Sequence, residues 1–268
     1  MKSNGRERFE DQIIDSNLEN ENFHNKLFIR VGAKGRIFKN VDFSHTYFDN
    51  CYFRNIQFDS CVFQGCKFNN CNFQSSSFSG SNFEYSTFEK TFIDSDILNN
   101  NCPSHNNLKL KFVRSLRLNF QSLGDSVAVN KAIKIELSAT KEYYYEAWHS
   151  NTSYYRKKYT NWKRIDFFFK WLNFRIQDYV WGNGESIYKL IRTGLFLWII
   201  FSVLETLMYK NSNSLFEYWK SFLEAPSVFM GIYKPIYYEI WYYTLITVLR
   251  FIGFALFTSI LIKRYNRR

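Results

Sequence analysis

The chain has 268 residues, with 35 Lys and Arg against 24 Asp and Glu, and 21% of it is aromatic. That length admits one domain plus an appendage. The charge is uneven: three bases stand against six acids in residues 1–24, eight against seven in residues 25–100, and twenty-four against eleven in residues 101–268. A near-neutral middle counts heavily against mimicry of a polyanion, which needs a dense negative surface.

In chain order, residues 1–25 come first. They are polar and lack the apolar core of a cleavable signal peptide. They are expected to form a short helix or a frayed lead-in that caps the next segment. That segment carries a phenylalanine at every fifth position: Phe38, Phe43, Phe48, Phe53, Phe58, Phe63, Phe68, Phe73, Phe78, Phe83 and Phe88, with Ile93 and Leu98 keeping the register. Two residues before each stands a small or β-branched column: Val41, Thr46, Cys51, Ile56, Cys61, Cys66, Cys71, Ser76, Ser81, Ser86 and Thr91. A period of five fits neither a helix nor a flat strand, and over fifty residues it implies a repeat architecture.

Small-x-Phe at this period resembles the pentapeptide-repeat family. The resemblance implies a right-handed quadrilateral β-helix, assigned to residues 26–102, with four repeats per coil. Twenty residues per coil put Phe38 beneath Phe58 and Phe78, and Phe43 beneath Phe63 and Phe83. Successive coils then pair at the strand spacing of about 4.8 Å. The Phe columns fill the centre, the small column lies inward beside them, and Asn, Gln, Asp, Ser and Lys face outward. Cys51, Cys61, Cys66 and Cys71 fall in the small column and match no zinc spacing. They read as packed free thiols, with Cys51 and Cys71 touching across adjacent coils. Cys102 and Pro103 end the coil.

Residues 103–186 read as a basic, aromatic helical linker. Bases and rings interleave from Tyr154 to Arg175, as in a nucleic-acid surface or in a helix at a membrane interface. The segments after it favour the membrane. Leu190–Met208 and Ile240–Ile262 are each long and apolar enough to cross a bilayer, and Trp, Tyr, Lys and Arg flank them. Residues 187–268 thus form a two-span module with a re-entrant or extracytoplasmic loop at 210–239. Lys263, Arg264, Arg267 and Arg268 come after the second span, and the positive-inside rule puts both basic flanks in the cytoplasm. The expectation is a multi-pass protein of the inner (plasma) membrane with both termini cytoplasmic, a compartment that suits reduced thiols. Arg250 lies near the middle of the second span, where an ionisable residue is costly. It could line a water-filled path, pair with Glu205, or reach the outer interface.

The span–loop–span layout resembles a two-transmembrane potassium-channel pore module, and Gly182–Glu185 resembles the segment that precedes such modules. The resemblance implies a pore helix at Ser214–Leu223, a filter at Ala225–Pro235 and a bending glycine at Gly253. The pore and gating residues it implies are Arg250, Gly253, Glu205, Ser227, Met230, Gly231, Tyr233 and Lys234, in a homo-oligomer. Only Gly231 stands where a potassium filter carries two glycines. A non-selective or anion-permeable pore, a closed plug and a simple anchor therefore remain open.

Nothing marks an enzyme. His24, His45, His105 and His149 are scattered, and no phosphate loop or nucleophile elbow occurs. No cofactor or metal is expected. The lipid bilayer is the expected partner, the β-helix offers a ladder surface to a further protein, and no nucleic acid is expected. The reading is an ion channel-like or membrane-permeabilising effector regulated by its β-helix. The alternative is a membrane-anchored interaction scaffold without conductance.

Overall fold

The computed structural model describes residues 5–160 and 162–266. Residues 1–4 of the expected lead-in, and Arg267 and Arg268 of the expected basic flank, lie outside the described residues. The chain divides into two units, the first running to Phe168 and the second from Phe169 to Asn266.

The first unit opens with short strands: β1 (Arg8–Glu10), β2 (Ile13–Ile14), β3 (Leu18–Glu19), β4 (Leu27–Ile29), β5 (Gly32–Lys34) and β6 (Ile37–Lys39). β7 (Tyr47–Asp49), β8 (Tyr52–Arg54), β9 (Gln57–Asp59), β10 (Lys67–Asn69), β11 (Ser77–Ser79) and β12 (Thr87–Glu89) complete the set. They stack in parallel on three faces, ordered β1-β4-β7-β10-β12, β3-β6-β9-β11 and β2-β5-β8. Isolated bridges joining Asn22, Asp42, Val62 and Asn82 make the fourth face. Phe38 pairs with Phe58 and Phe58 with Phe78, the expected twenty-residue register. All eleven repeat phenylalanines are buried, and rings stack coil on coil, Phe63 on Phe83 at 4.8 Å and Phe58 on Phe78 at 5.0 Å.

The small column does more than fit. A hydroxyl or thiol there donates to the phenylalanine carbonyl of the coil below: Thr46 to Phe23, Cys61 to Phe38, Cys66 to Phe43 and Ser76 to Phe53. The hydroxyls also accept backbone N–H groups from that coil, as Ser76 does from Ile56 and Ser81 from Cys61. Corner backbone groups that the strands leave unpaired are thereby satisfied. The cysteines are free. Burial pushes the Cys61 thiol up to about 11, and pushes the Cys66 and Cys71 thiols up as well.

A third column carries the corners. Every fifth residue, two after each inward side chain, has left-handed backbone: Asn20, Asn25, Arg30, Gly35, Asn40, His45, Asn50, Asn55, Ser60, Gly65, Asn70, Ser75, Gly80, Tyr85 and Lys90, with φ from +47° to +69°. Asn and Gly adopt this conformation more readily than other residues, which explains the asparagine-rich sequence.

Two expectations need correction. The lead-in is no helix: it is the first coil, with β1 paired to β4 and β2 to β5. Phe9, Ile14, Leu18 and Phe23 pack against the core column, and the single four-residue step from Ile14 to Leu18 hides the register in the sequence. The expected linker is likewise not one element. After α1 (Ile97–Asn100), α2 (Asn106–Ser122) and α3 (Ser126–His149) pack on each other and share the core of the first unit. Apolar residues at three and four spacing on α2, namely Leu108, Phe112, Val113, Leu116 and Phe120, are buried.

α2 closes the last coil. Phe112 lies on Phe83 and Phe88. Ser115 Oγ accepts the Phe88 N–H at 2.8 Å. The Asn119 amide accepts the Thr91 N–H and donates to the Thr91 carbonyl, both at 2.7 Å. It thus supplies the donor and acceptor that another strand would bring.

α4 (Ser153–Lys158) comes next, then α5 (Trp162–Trp181), within which the chain passes into the second unit. Part of the base–aromatic stretch turns inward: Tyr155 and Tyr159 are buried with Ala147, against Tyr143 and Phe167. The Tyr155 hydroxyl donates to Glu146 at 2.6 Å, and burial raises its pKa.

Candidate functional site

The second unit contains α6 (Ile187–Tyr209), α7 (Leu215–Met230) and α8 (Ile240–Tyr265). α6 and α8 are long and apolar enough to cross a membrane; at 1.5 Å per residue they measure about 34 and 39 Å. A helix in a soluble core would be mostly covered. Here Phe196, Ile199, Leu207, Val248, Phe251 and Ile262 are exposed.

The α5–α6 turn needs left-handed backbone at Gly182, Asn183 and Gly184. A β-carbon on Gly182 would stand 2.9 Å from that of Ser186, whose hydroxyl caps α6 by accepting the Lys189 N–H. Lys189 then reaches Asp178 at 2.6 Å, and Arg192 donates to the Tyr179 carbonyl. Lys263, near the end of α8, lies over the Trp181 ring. The start of α6 and the end of α8 therefore share one basic end of the unit.

α7 folds back along α6. Thr206 donates to Ser221 at 3.0 Å toward the middle of α7, and Trp198 meets Phe229 near its end, so the two helices are antiparallel. This corrects the expected boundaries. The helix continues through Pro226 to Met230, so the first half of the expected filter, Ala225–Met230, is helical. Gly231 ends the helix with φ +78°, donating to the Val228 carbonyl, while Ile232 and Tyr233 donate to Ser227.

The chain then climbs α8 in reverse. A β-carbon on Gly231 would stand 1.9 Å from Arg250 Nη1, Lys234 Nζ lies over the Tyr243 ring, and Tyr238 packs on Tyr242. Arg250 is ten residues into α8, about 15 Å from its start. α7 and the segment after it thus form a loop that reaches the middle of α8 and returns.

The predicted site residues fall into two groups. Glu205 is buried near the end of α6. It accepts from Tyr237 at 2.7 Å and pairs with Lys210 at 3.0 Å; Lys210 also meets Ser221 and Glu224, each at 3.0 Å. Burial works against the Lys210 charge, but the two carboxylates prevail and raise its pKa. Burial beside the Glu205 carboxylate raises Tyr237 and Tyr238. Arg250 does not pair with Glu205. It lies with Gly231 at the foot of α7, near Gly253, where an added β-carbon would rest 3.8 Å from the Phe229 ring. Ser227 serves through its carbonyl, and Met230, Tyr233 and Lys234 are exposed. Sequence reasoning missed Lys210, Ser221 and Glu224. Lys210 and Glu205 are five apart at a helix end, and no local spacing announced that α7 would bring Glu224 to them.

Among the described residues no group of three or more His, Cys, Asp or Glu could hold a metal ion.

A parallel-strand solenoid of about four turns, followed by helices of which two could cross a membrane, defines the class. The family model for pentapeptide repeats matches residues 37–74 and 56–93, in eight copies, so the solenoid is built of pentapeptide repeats. No curated protein matches the chain. Three solved structures are similar. HetL, a pentapeptide repeat protein involved in heterocyst differentiation regulation from the cyanobacterium Nostoc sp. strain PCC 7120, is 11% identical with TM-score 0.32, over 35% of this chain and 40% of that one. Rfr23, a pentapeptide repeat protein from the cyanobacterium Cyanothece 51142, is 14% identical with TM-score 0.28, over 32% and 69%. QnrB1, a plasmid-mediated fluoroquinolone resistance protein, is 24% identical with TM-score 0.25, over 32% and 56%. The chain spans less than two thirds of HetL and of QnrB1.

Proposed function

We propose that this chain is a membrane protein whose second unit inserts in a bilayer as a two-span hairpin with α7 as a re-entrant helix, and that copies assemble into an ion-conducting pore under the control of the β-helix. The observation that carries this reading is the course of α7: it runs back along α6, stops at Gly231 beside the middle of α8, and returns. Non-helical backbone at membrane depth is tolerated where protein buries it or a water-filled path runs beside it. A lone hairpin leaves the Gly231–Lys234 segment exposed, which an oligomer around that segment would resolve.

Charge supports one orientation. Lys189, Arg192, Lys263 and Arg264 gather at the end where α6 starts and α8 stops, while Glu205, Glu224 and Glu239 lie toward the other. The positive-inside rule then puts the basic end, and with it the β-helix, in the cytoplasm of an inner (plasma) membrane protein. α5 exposes Trp162, Phe169, Ile176 and Tyr179 among its bases, in keeping with an interfacial helix.

The test is ion flux from liposomes holding the full-length protein, with potassium, sodium and chloride compared. Protein-dependent flux is expected. Inserted protein that passes no ion under any gradient would favour the anchored scaffold.

A further inference from the structure

Arg250 lacks the partner that an ionised side chain at mid-helix needs. Among the described residues it makes no hydrogen bond and no ion pair, and its one ring contact is Phe251, at 5.5 Å. The acids toward the far end of α6 and the start of α8 are committed elsewhere: Glu205 and Glu224 hold Lys210, and Glu239 accepts from Trp241. What Arg250 does have is the end of α7. Its guanidinium lies so close over Gly231 that a β-carbon there would stand 1.9 Å from Nη1.

That helix end is negative. A helix carries roughly half a negative charge at its C-terminus, on carbonyls that no further turn satisfies. Here the N–H groups of residues 231–233 turn back to Val228 and Ser227, which leaves the Phe229 and Met230 carbonyls without a backbone donor among the described residues. In water such an end is worth little to a cation. In a low-dielectric setting it is a cation site, and half-helix C-termini inside membrane proteins hold alkali ions in this way.

We propose that the foot of α7 is a monovalent cation site whose resident cation is the Arg250 guanidinium. A free alkali ion is thereby excluded from the position, and removing the guanidinium leaves a vacancy that potassium, rubidium or free guanidinium fills. The proposal rests on the re-entrant reading of α7 but not on conduction. It accounts for three features together: the charge at mid-span, its lack of an acidic partner, and a glycine at position 231, where a side chain would meet left-handed backbone of φ +78° and displace the guanidinium.

The experiment follows thermal unfolding of the full-length protein in detergent by tryptophan fluorescence, to which Trp198 against Phe229 contributes. Arg250→Met and Arg250→Ala are compared with the native protein and Arg250→Lys at constant ionic strength. The salts are choline chloride, potassium chloride, rubidium chloride, and choline chloride with low millimolar guanidinium. Both neutral variants are expected to melt several degrees lower in choline and to recover in an alkali cation or guanidinium. The native protein and Arg250→Lys should respond to neither. If the neutral variants fail to fold in choline, folded yield in the same salts gives the answer, and recovery in guanidinium supports the proposal. Neutral variants that are as stable as native in choline, or that gain nothing from any added cation, would overturn it. A cation response without liposome flux would keep the site and remove conduction; flux without a cation response would do the reverse.

Discussion

Asn119 lets the closure of the β-helix be put to a quantitative test. Its side chain is buried and makes two hydrogen bonds of 2.7 Å with Thr91, one to the N–H and one to the carbonyl. Asn119→Ala removes both partners at once. The Thr91 groups stay buried, since Thr91 is fully covered and α2 still packs through Phe112 and Leu116. Each unsatisfied buried group costs about 1–3 kcal/mol, so the substitution should cost the last coil about 2–6 kcal/mol. Hydrogen exchange with mass spectrometry on the full-length protein reads this locally. At about 1.4 kcal/mol per factor of ten, peptides covering Thr91 should exchange at least about 25-fold faster. Asn107→Ala is the control, because Asn107 makes only an exposed contact with the Tyr154 hydroxyl. Unchanged protection at Thr91 in Asn119→Ala would show that α2 does not close the solenoid through this side chain.

Other outcomes rest on the same geometry. Tyr85 sits in the left-handed corner column at φ +61°, so Tyr85→Asn should stabilise the first unit by about 1 kcal/mol; a lower melting temperature would contradict the corner argument. Gly65→Ala should destabilise it, since the added carbon would stand 2.6 Å from His45 Nδ1 on backbone of φ +69°. The Cys61 thiol has its pKa raised by burial to about 11 from an ordinary 9.0. The folded state therefore keeps this proton more tightly than the unfolded state. The resulting stability is complete below pH 9 and is lost as pH rises to about 11, by about 2–3 kcal/mol. Cys61→Ser should shrink that alkaline loss in a pH series of unfolding midpoints. Lys210→Met leaves Glu205 buried with an unpaired charge and should cost about 3–5 kcal/mol in detergent; adding Glu205→Gln should recover much of it.

The β-helix was legible because its period is set by covalent geometry: an inward ring every fifth residue is what four-sided coils require. The corner column was equally periodic in the sequence, as Asn20, Asn25, Asn40, Asn50, Asn55 and Asn70 show. It was read only as outward polarity, because backbone handedness leaves no hydropathy trace. Phe23 and Phe28 extend the ring column upstream, but Ala33 and the short step before Leu18 interrupt it. The ends of α6 and α8 matched the apolar segments within a few residues, since length and composition fix them. α7 overran its expected end because Pro226 did not stop it, and Gly231 did. The Glu205–Lys210–Glu224 cluster depends on how α7 docks on α6, which no local pattern states. Arg250 was recognisable as costly, but its neighbour was not: it faces a helix end, and a helix end is not a residue type.

The central claim is that α7 dips into the membrane with its foot deepest. Nitroxide labels on single cysteines introduced at Phe216, Leu223 and Met230, in a full-length background lacking the native thiols and reconstituted in bilayers, measure this directly. Relative collision rates with oxygen and with a water-soluble nickel reagent report depth. The account predicts steadily greater depth from residue 216 to residue 230, with residue 230 near the bilayer centre. Equal water exposure at all three positions would place α7 outside the membrane and contradict the account.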